Sequence, residues 1–153
     1  MAINEFSDVA PALSESDMRA VEREIGYQLP AELRQHYLRI NGGAPERRYF
    51  LTKDGMELEI NEFRPIAHRA RPKQITIEST ILDLVKTRRL IPEALVPFAV
   101  NSGGDFYCVD RRDQSIVYYT MDDCLNPGVA TNRAADSLAE FIDGMVTEQE
   151  AFR

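Results

Sequence analysis

The sequence predicts an α+β domain, a twisted antiparallel or mixed β-sheet with helices packed mainly on one side. Three observations predict it. Apolar residues recur at helical spacing up to Ile40. Beyond Gly43 the spacing changes to period two, with Met56, Leu58 and Ile60 alternating with Glu57, Glu59 and Asn61. Strand-like segments then come in runs between helices, not in the regular alternation of βαβ units.

The chain of 153 residues suits a single domain, read as residues 1–153 with its core at about 13–146. Hydrophobic residues make up 44%, enough for a core without disulfide staples. No linker-like run and no internal repeat divides the chain.

The elements follow in order. Leu13 to Ile25 reads as a helix with Met18, Val21 and Ile25 on one stripe. Ser14 and Asp17 form a capping pattern, and Gly26 suits the left-handed end. Pro30 opens a second helix, where its missing N–H costs nothing. Leu33, Tyr37 and Ile40 line its inner face, and Asn41-Gly42-Gly43 ends it. Arg48 to Thr52 and Met56 to Phe63 are strands around a Lys53-Asp54-Gly55 turn. The alternation in the second suits a sheet with one wet side. Arg64 to Gln74 is a basic loop. Ile77, Ile81, Leu84 and Val85 mark a third helix, which Pro92 prevents from continuing.

Leu95 to Val100, Asp105 to Asp110 and Ser115 to Thr120 are three further strands, the last two a hairpin. Met121 to Arg133 reads as a polar loop. Ser137 with Glu140 caps a final helix to about Val146, with Leu138, Phe141, Ile142 and Met145 inward. The expected core comprises Leu33, Tyr37, Ile40, Ile81, Val85, Phe98, Phe106, Cys108, Phe141 and Ile142.

Composition narrows the function. The net charge of −7 repels phosphate backbones and argues against a nucleic-acid partner. Cys108 and Cys124 give neither a disulfide framework nor metal-ligand spacing. Met1 to Asp8 lacks the pattern of a signal peptide, and no stretch is long enough to span a membrane, so the expected location is cytoplasmic. His36 reads as a boundary histidine bonded to backbone or water, and His68 as solvated. Cys108 reads as a buried strand residue. These add up to no catalytic set, no metal and no cofactor.

The candidate binding residues are Asp105, Asp110, Asp113, Asp122 and Asp123, with Tyr118 or Tyr119 as an aromatic anchor. In the hairpin, Asp110 and Asp113 lie at the tip, and Asp105, Asp122 and Asp123 gather at the other end. Their spacing fits no cation-binding loop. Asp105 also brackets the Asn101–Gly104 turn. Tyr49, Phe50, Tyr118 and Tyr119 cannot all face inward if strands alternate, and an exposed tyrosine is favoured at interfaces.

Several segments, taken in order, resemble the SUKH superfamily. "GYQLPAELRQHYLRINGG" is similar to its opening, a leucine-proline corner, an amphipathic helix and an Asn-Gly-Gly end. "LIPEALVPFAVNSGGDFYCVD" resembles its central strand, glycine turn and next strand. "IVYYTMDD" and "SLAEFIDGMV" resemble the following strand and closing helix. The resemblance runs from about Leu13 to Met145. The chain departs from it in having no tryptophan, and Arg64 to Gln74 matches nothing in the family pattern. The resemblance implies a sheet flanked by helices and a non-enzymatic role. Bacterial members are largely immunity proteins against nuclease or deaminase toxins, and fungal relatives are interaction hubs in cell-wall assembly. Together with the acidic charge, this makes the expected partner a protein, a basic toxin domain docked on the acidic rim. The alternative is a general regulatory or interaction module like the fungal relatives.

Overall fold

The computed structural model describes residues 3–153. Helix α1 (Glu15–Ile25) starts at a complete capping box: Ser14 Oγ accepts from Asp17 N–H at 3.0 Å, and Asp17 accepts from Ser14 N–H at 3.1 Å. It stops at Gly26, whose φ of 90° is left-handed. Met18, Val21 and Ile25 are all buried. Helix α2 (Ala31–Arg39) packs beside it. Arg34 joins the two, its guanidinium reaching Glu15 at 2.8 Å and the buried Glu22 at 3.3 Å.

The chain leaves α2 through Asn41-Gly42-Gly43. The two glycines have φ of 76° and 107°, and a Cβ on either would meet backbone within 3.0 Å. That close approach lets Gly43 bridge to Phe63 and lets strand β1 (Phe6–Ser7) pair with β2 (Ala44–Pro45). Neither of these two short strands has a periodic signature in the sequence.

Strands β3 (Tyr49–Leu51) and β4 (Glu57–Glu59) pair as an antiparallel ribbon. Leu58 and Ile60 are buried and Glu57 is exposed, so the predicted alternation holds here. The expected continuous strand is broken at Ile60 and Asn61. Its end, β5 (Glu62–Phe63), joins the main sheet instead.

That sheet is antiparallel, in the order β5, β6 (Leu95–Val100), β7 (Phe106–Asp110), β8 (Ile116–Tyr119), β9 (Thr131–Ala135). The predicted hairpin is β7–β8, with Phe106 opposite Tyr119 and Val109 opposite Ile116. The expected polar loop from Met121 to Arg133 is corrected. It contains a 3-10 turn (Met121–Asp123) and helix α4 (Pro127–Ala130), and it ends in β9, paired along β8. Between β5 and β6 the third helix begins as α3 (Ile77–Thr80), capped by Thr76 and Ser79, and continues as a π-helix from Ile81 to Thr87.

Every residue of β7 is buried, so neither face of the sheet's centre is wet. Tyr107 meets Phe141 of α5 (Leu138–Asp143) at 5.4 Å between ring centres. Phe106 meets the Arg64 guanidinium at 5.0 Å, which is bonded in turn to Thr80. Chain-end helix α6 (Glu148–Ala151) follows a bridge between Tyr49 and Val146.

Two expected core residues are corrected. Ile40 and Ile142 are only half-buried. Helix α2 ends at Arg39, so Ile40 swings into an extended conformation. Ile142 is one residue from the end of α5 and packs at the rim of the core.

Candidate functional site

The hairpin β7–β8 positions the candidate residues, and it separates them into two groups. The tip carries Asp110 and Asp113. Asp110 is 7% exposed, because its side chain folds back under the turn. Arg112 clasps it with two bonds of 3.0 and 2.8 Å and holds its carboxyl below the usual carboxylate range. Asp113 accepts from Ser115 N–H and Oγ–H at 3.0 and 2.7 Å and pairs with Arg133 at 3.3 Å. Those hydroxyl and amide donors, then Arg133, lower its pKa. Arg111 lies 3.6 Å over the Tyr27 ring. Both tip carboxylates are therefore paired with arginines, Arg133 being shared between Asp113 and Asp136.

The other end is different. Asp105 brackets the turn, as expected: its N–H reaches Asn101 Oδ1 at 2.8 Å, and its carboxylate accepts from Met121 N–H at 2.8 Å and Tyr118 O–H at 2.9 Å. The bond to Met121 fixes the 3-10 turn that presents Asp122 and Asp123. Both are exposed, and Asp123 accepts from Thr120 Oγ–H at 2.9 Å. Glu59 of β4 reaches the same end and accepts from Ser102 N–H and Oγ–H at 2.8 and 2.6 Å. None of these four carboxylates is in an ion pair among the described residues. Glu59 escaped the sequence reading, because the contact to Ser102 depends on how the ribbon lies across the sheet.

The two tyrosines also part. Tyr119 is fully buried, and its hydroxyl donates to Leu90 O at 2.8 Å, so it cannot serve as an exposed anchor. Tyr118 is half-buried, stacked on Tyr107 at 5.4 Å. Burial and the neighbouring Asp105 push its hydroxyl up to about 12. It stays a neutral donor and presents a fixed ring edge beside the acidic group.

The two histidines and two cysteines sit in different surroundings. His36 is buried, not a bonded boundary residue, and its Nε2 has no hydrogen-bond partner among the described residues. It sits among the rings of Phe6, Tyr37 and Phe63. Burial, with Arg39 nearby, pushes it down to about 4, so it is neutral at pH 7. It lines a groove of about 440 Å³ between α2, α5 and the N-terminal segment, which Glu32 and Asp143 also line. His68 is not simply solvated. Its Nε2 meets Asp17 at 3.0 Å and ties the basic loop to α1. Cys108 is fully buried, which pushes its thiol far up, and Cys124 is half-buried. Among the described residues no group of His, Cys, Asp and Glu could hold a metal ion. No described helix is long and apolar enough to cross a membrane.

Comparison with known proteins adds one finding. The model of the SMI1/KNR4 family (SUKH-1) matches residues 12–144. That range holds both helical openings, the whole five-stranded sheet and both ends of the hairpin. No curated protein matches the chain.

Proposed function

The chain belongs to the SMI1/KNR4 family (SUKH-1), and from that premise we propose that it is a non-enzymatic protein-binding domain, an immunity protein that neutralises a bacterial toxin by direct contact. The toxin is of nuclease or deaminase type, with a basic surface that holds phosphates. The docking face is the turn end of the hairpin: Asp105, Asp122, Asp123 and Glu59, with Tyr118 as the aromatic edge. The observation that carries this reading is the unneutralised charge there. Among the described residues the partners of these carboxylates are all neutral, backbone N–H groups, hydroxyls and the Asn101 side-chain amide, so their charge remains available to a cationic partner. Asp110, Asp113 and Tyr119, matched or buried, drop out of the face.

The surface suits fast, steered association with a basic protein. Asp105 holds both Tyr118 and the Met121 turn, so little ordering is left to do on binding. The test is co-expression with the toxin domain encoded by the adjacent gene. Restored growth and a stoichiometric complex are expected. A gene standing apart from any toxin, with no complex formed, contradicts the immunity role and leaves a general interaction module.

A further inference from the structure

The connection from β5 to α3, residues 64–76, is long for a stretch with no regular structure, and such loops are usually functional. It is held from several directions. Asn41 donates to Ile66 O at 3.0 Å and accepts from Ile66 N–H at 2.8 Å. Glu78 accepts from Ala67 N–H at 2.9 Å, and Gln74 Oε1 accepts from Ala70 N–H at 2.7 Å. His68 is pinned to Asp17, and Arg71 to Glu62 at 2.7 Å. Ala67 and Lys73 hold left-handed backbone, with φ of 60° and 64°, which a side-chain-bearing residue adopts only when its surroundings enforce it.

What this framework presents is basic. Residues 69–73 are all exposed and none belongs to the core. Arg69 bonds through Nε to the Gln74 carbonyl, and Lys73 is in no ion pair among the described residues. The position of this loop matters as much as its charge. Arg71 rests on Glu62, and Glu62 pairs with Val100, the residue before the Asn101–Asp105 turn. The basic loop and the acidic turn end therefore flank the same end of the sheet.

We propose that the loop Arg69–Lys73 is the second half of the docking surface and takes a carboxylate-rich edge of the same protein partner. This rests on the reading of the acidic end given above. A one-sign surface attracts a basic protein in many orientations, whereas two adjacent patches of opposite sign admit one. A protein carboxylate edge fits better than a nucleic acid, because the chain's net charge of −7 opposes a continuous phosphate backbone.

The experiment is an amide-resolved NMR titration of the full chain at low salt with octaglutamate, octalysine and an oligothymidylate of equal charge. Octaglutamate is expected to shift the amides of Arg69, Arg71 and Lys73. Octalysine is expected to shift those of Ser102 to Asp105 and of Asp122 and Asp123. The octaglutamate response is lost in Arg69→Glu, Lys73→Glu, and in the milder Arg69→Ala, Lys73→Ala, with the remaining spectrum unchanged. No octaglutamate response at the loop overturns the inference alone. No octalysine response at the turn end overturns the acidic face on which it rests. A loop response to oligothymidylate in preference to octaglutamate makes the loop a phosphate reader and also overturns the inference.

Discussion

The two ends of one hairpin carry similar numbers of aspartates and differ in what surrounds them. At the tip, Asp110 and Asp113 are held by Arg112, Arg133 and Ser115. At the turn end, Asp105 and Asp123 accept from neutral donors, and neither they nor Asp122 are in an ion pair among the described residues. The charge of a surface is thus set by the partners that the fold supplies, not by the count of acidic letters in the chain. The tip's ion pairs serve the fold weakly, as exposed pairs do. The turn end keeps its charge, which is what the proposed docking face requires.

The most severe way to break this comparison is to remove the packing that carries both ends. Phe141 is fully buried against Phe50, Phe98 and Tyr107. Phe141→Ala should cost about 3–5 kcal/mol in denaturant melts and loosen β7 along its length. A cost below about 1 kcal/mol contradicts the packing of α5 on the sheet.

Acid sharpens the comparison only while the fold survives it, and His36 sets that limit. Its folded pKa of about 4 lies below the unfolded value of about 6.5. The unfolded chain therefore binds the proton first, and stability falls as pH drops from about 6.5 toward 4. The loss is on the order of 2–3 kcal/mol. Urea melts of the parent and of His36→Leu at pH 7 and pH 5 check it. The parent should lose more than the variant, and equal losses contradict the buried neutral histidine.

Asp105 separates structure from charge at the turn end. Asp105→Ala removes acceptors for Tyr118 O–H and Met121 N–H and should cost about 1–3 kcal/mol. Amide exchange should rise at Met121 to Asp123 before it rises at the tip. Uniform exchange along the hairpin would mean that Asp105 does not hold the turn.

Asp110 should matter less. Arg112, its partner, is 74% exposed at the side chain, so Asp110→Asn should cost below about 1 kcal/mol at pH 7. Its lowered folded pKa places that stability above the unfolded value and removes it as pH falls through the folded one. Acid melts in which parent and variant run parallel below pH 4 would show the pair contributes nothing.

Much of this fold was legible because its signals are local. Ser14, Asp17 and Gly26 bound α1 by capping chemistry, and Leu58 and Ile60 declare a half-buried strand by alternation. β9 was not legible: its buried residues, Ala134 and Ala135, are adjacent and small, and the register shift opposite Ile116 hides any period of two. Ile40 and Ile142 sit on the right stripes, but their helices end too soon to bury them. For the site, alternation required one tyrosine in and one out without saying which. Only the stacking of Tyr118 on Tyr107 and the bond from Tyr119 to Leu90 decide it. Ion pairing was the least legible, since Asp113 meets Arg133 only because β9 lies beside β8.

The most direct test of the central claim is the association rate with the proposed partner, a basic toxin domain encoded beside this chain's gene, at low and high salt. Three proteins are compared: the parent, Asp122→Lys with Asp123→Lys at the turn end, and Asp113→Lys at the tip, each with its fold verified. Turn-end reversal should slow association by about tenfold at low salt, a gap that closes at high salt, while tip reversal should leave the rate nearly unchanged. Equal slowing by both, or slowing by the tip variant alone, would contradict the account.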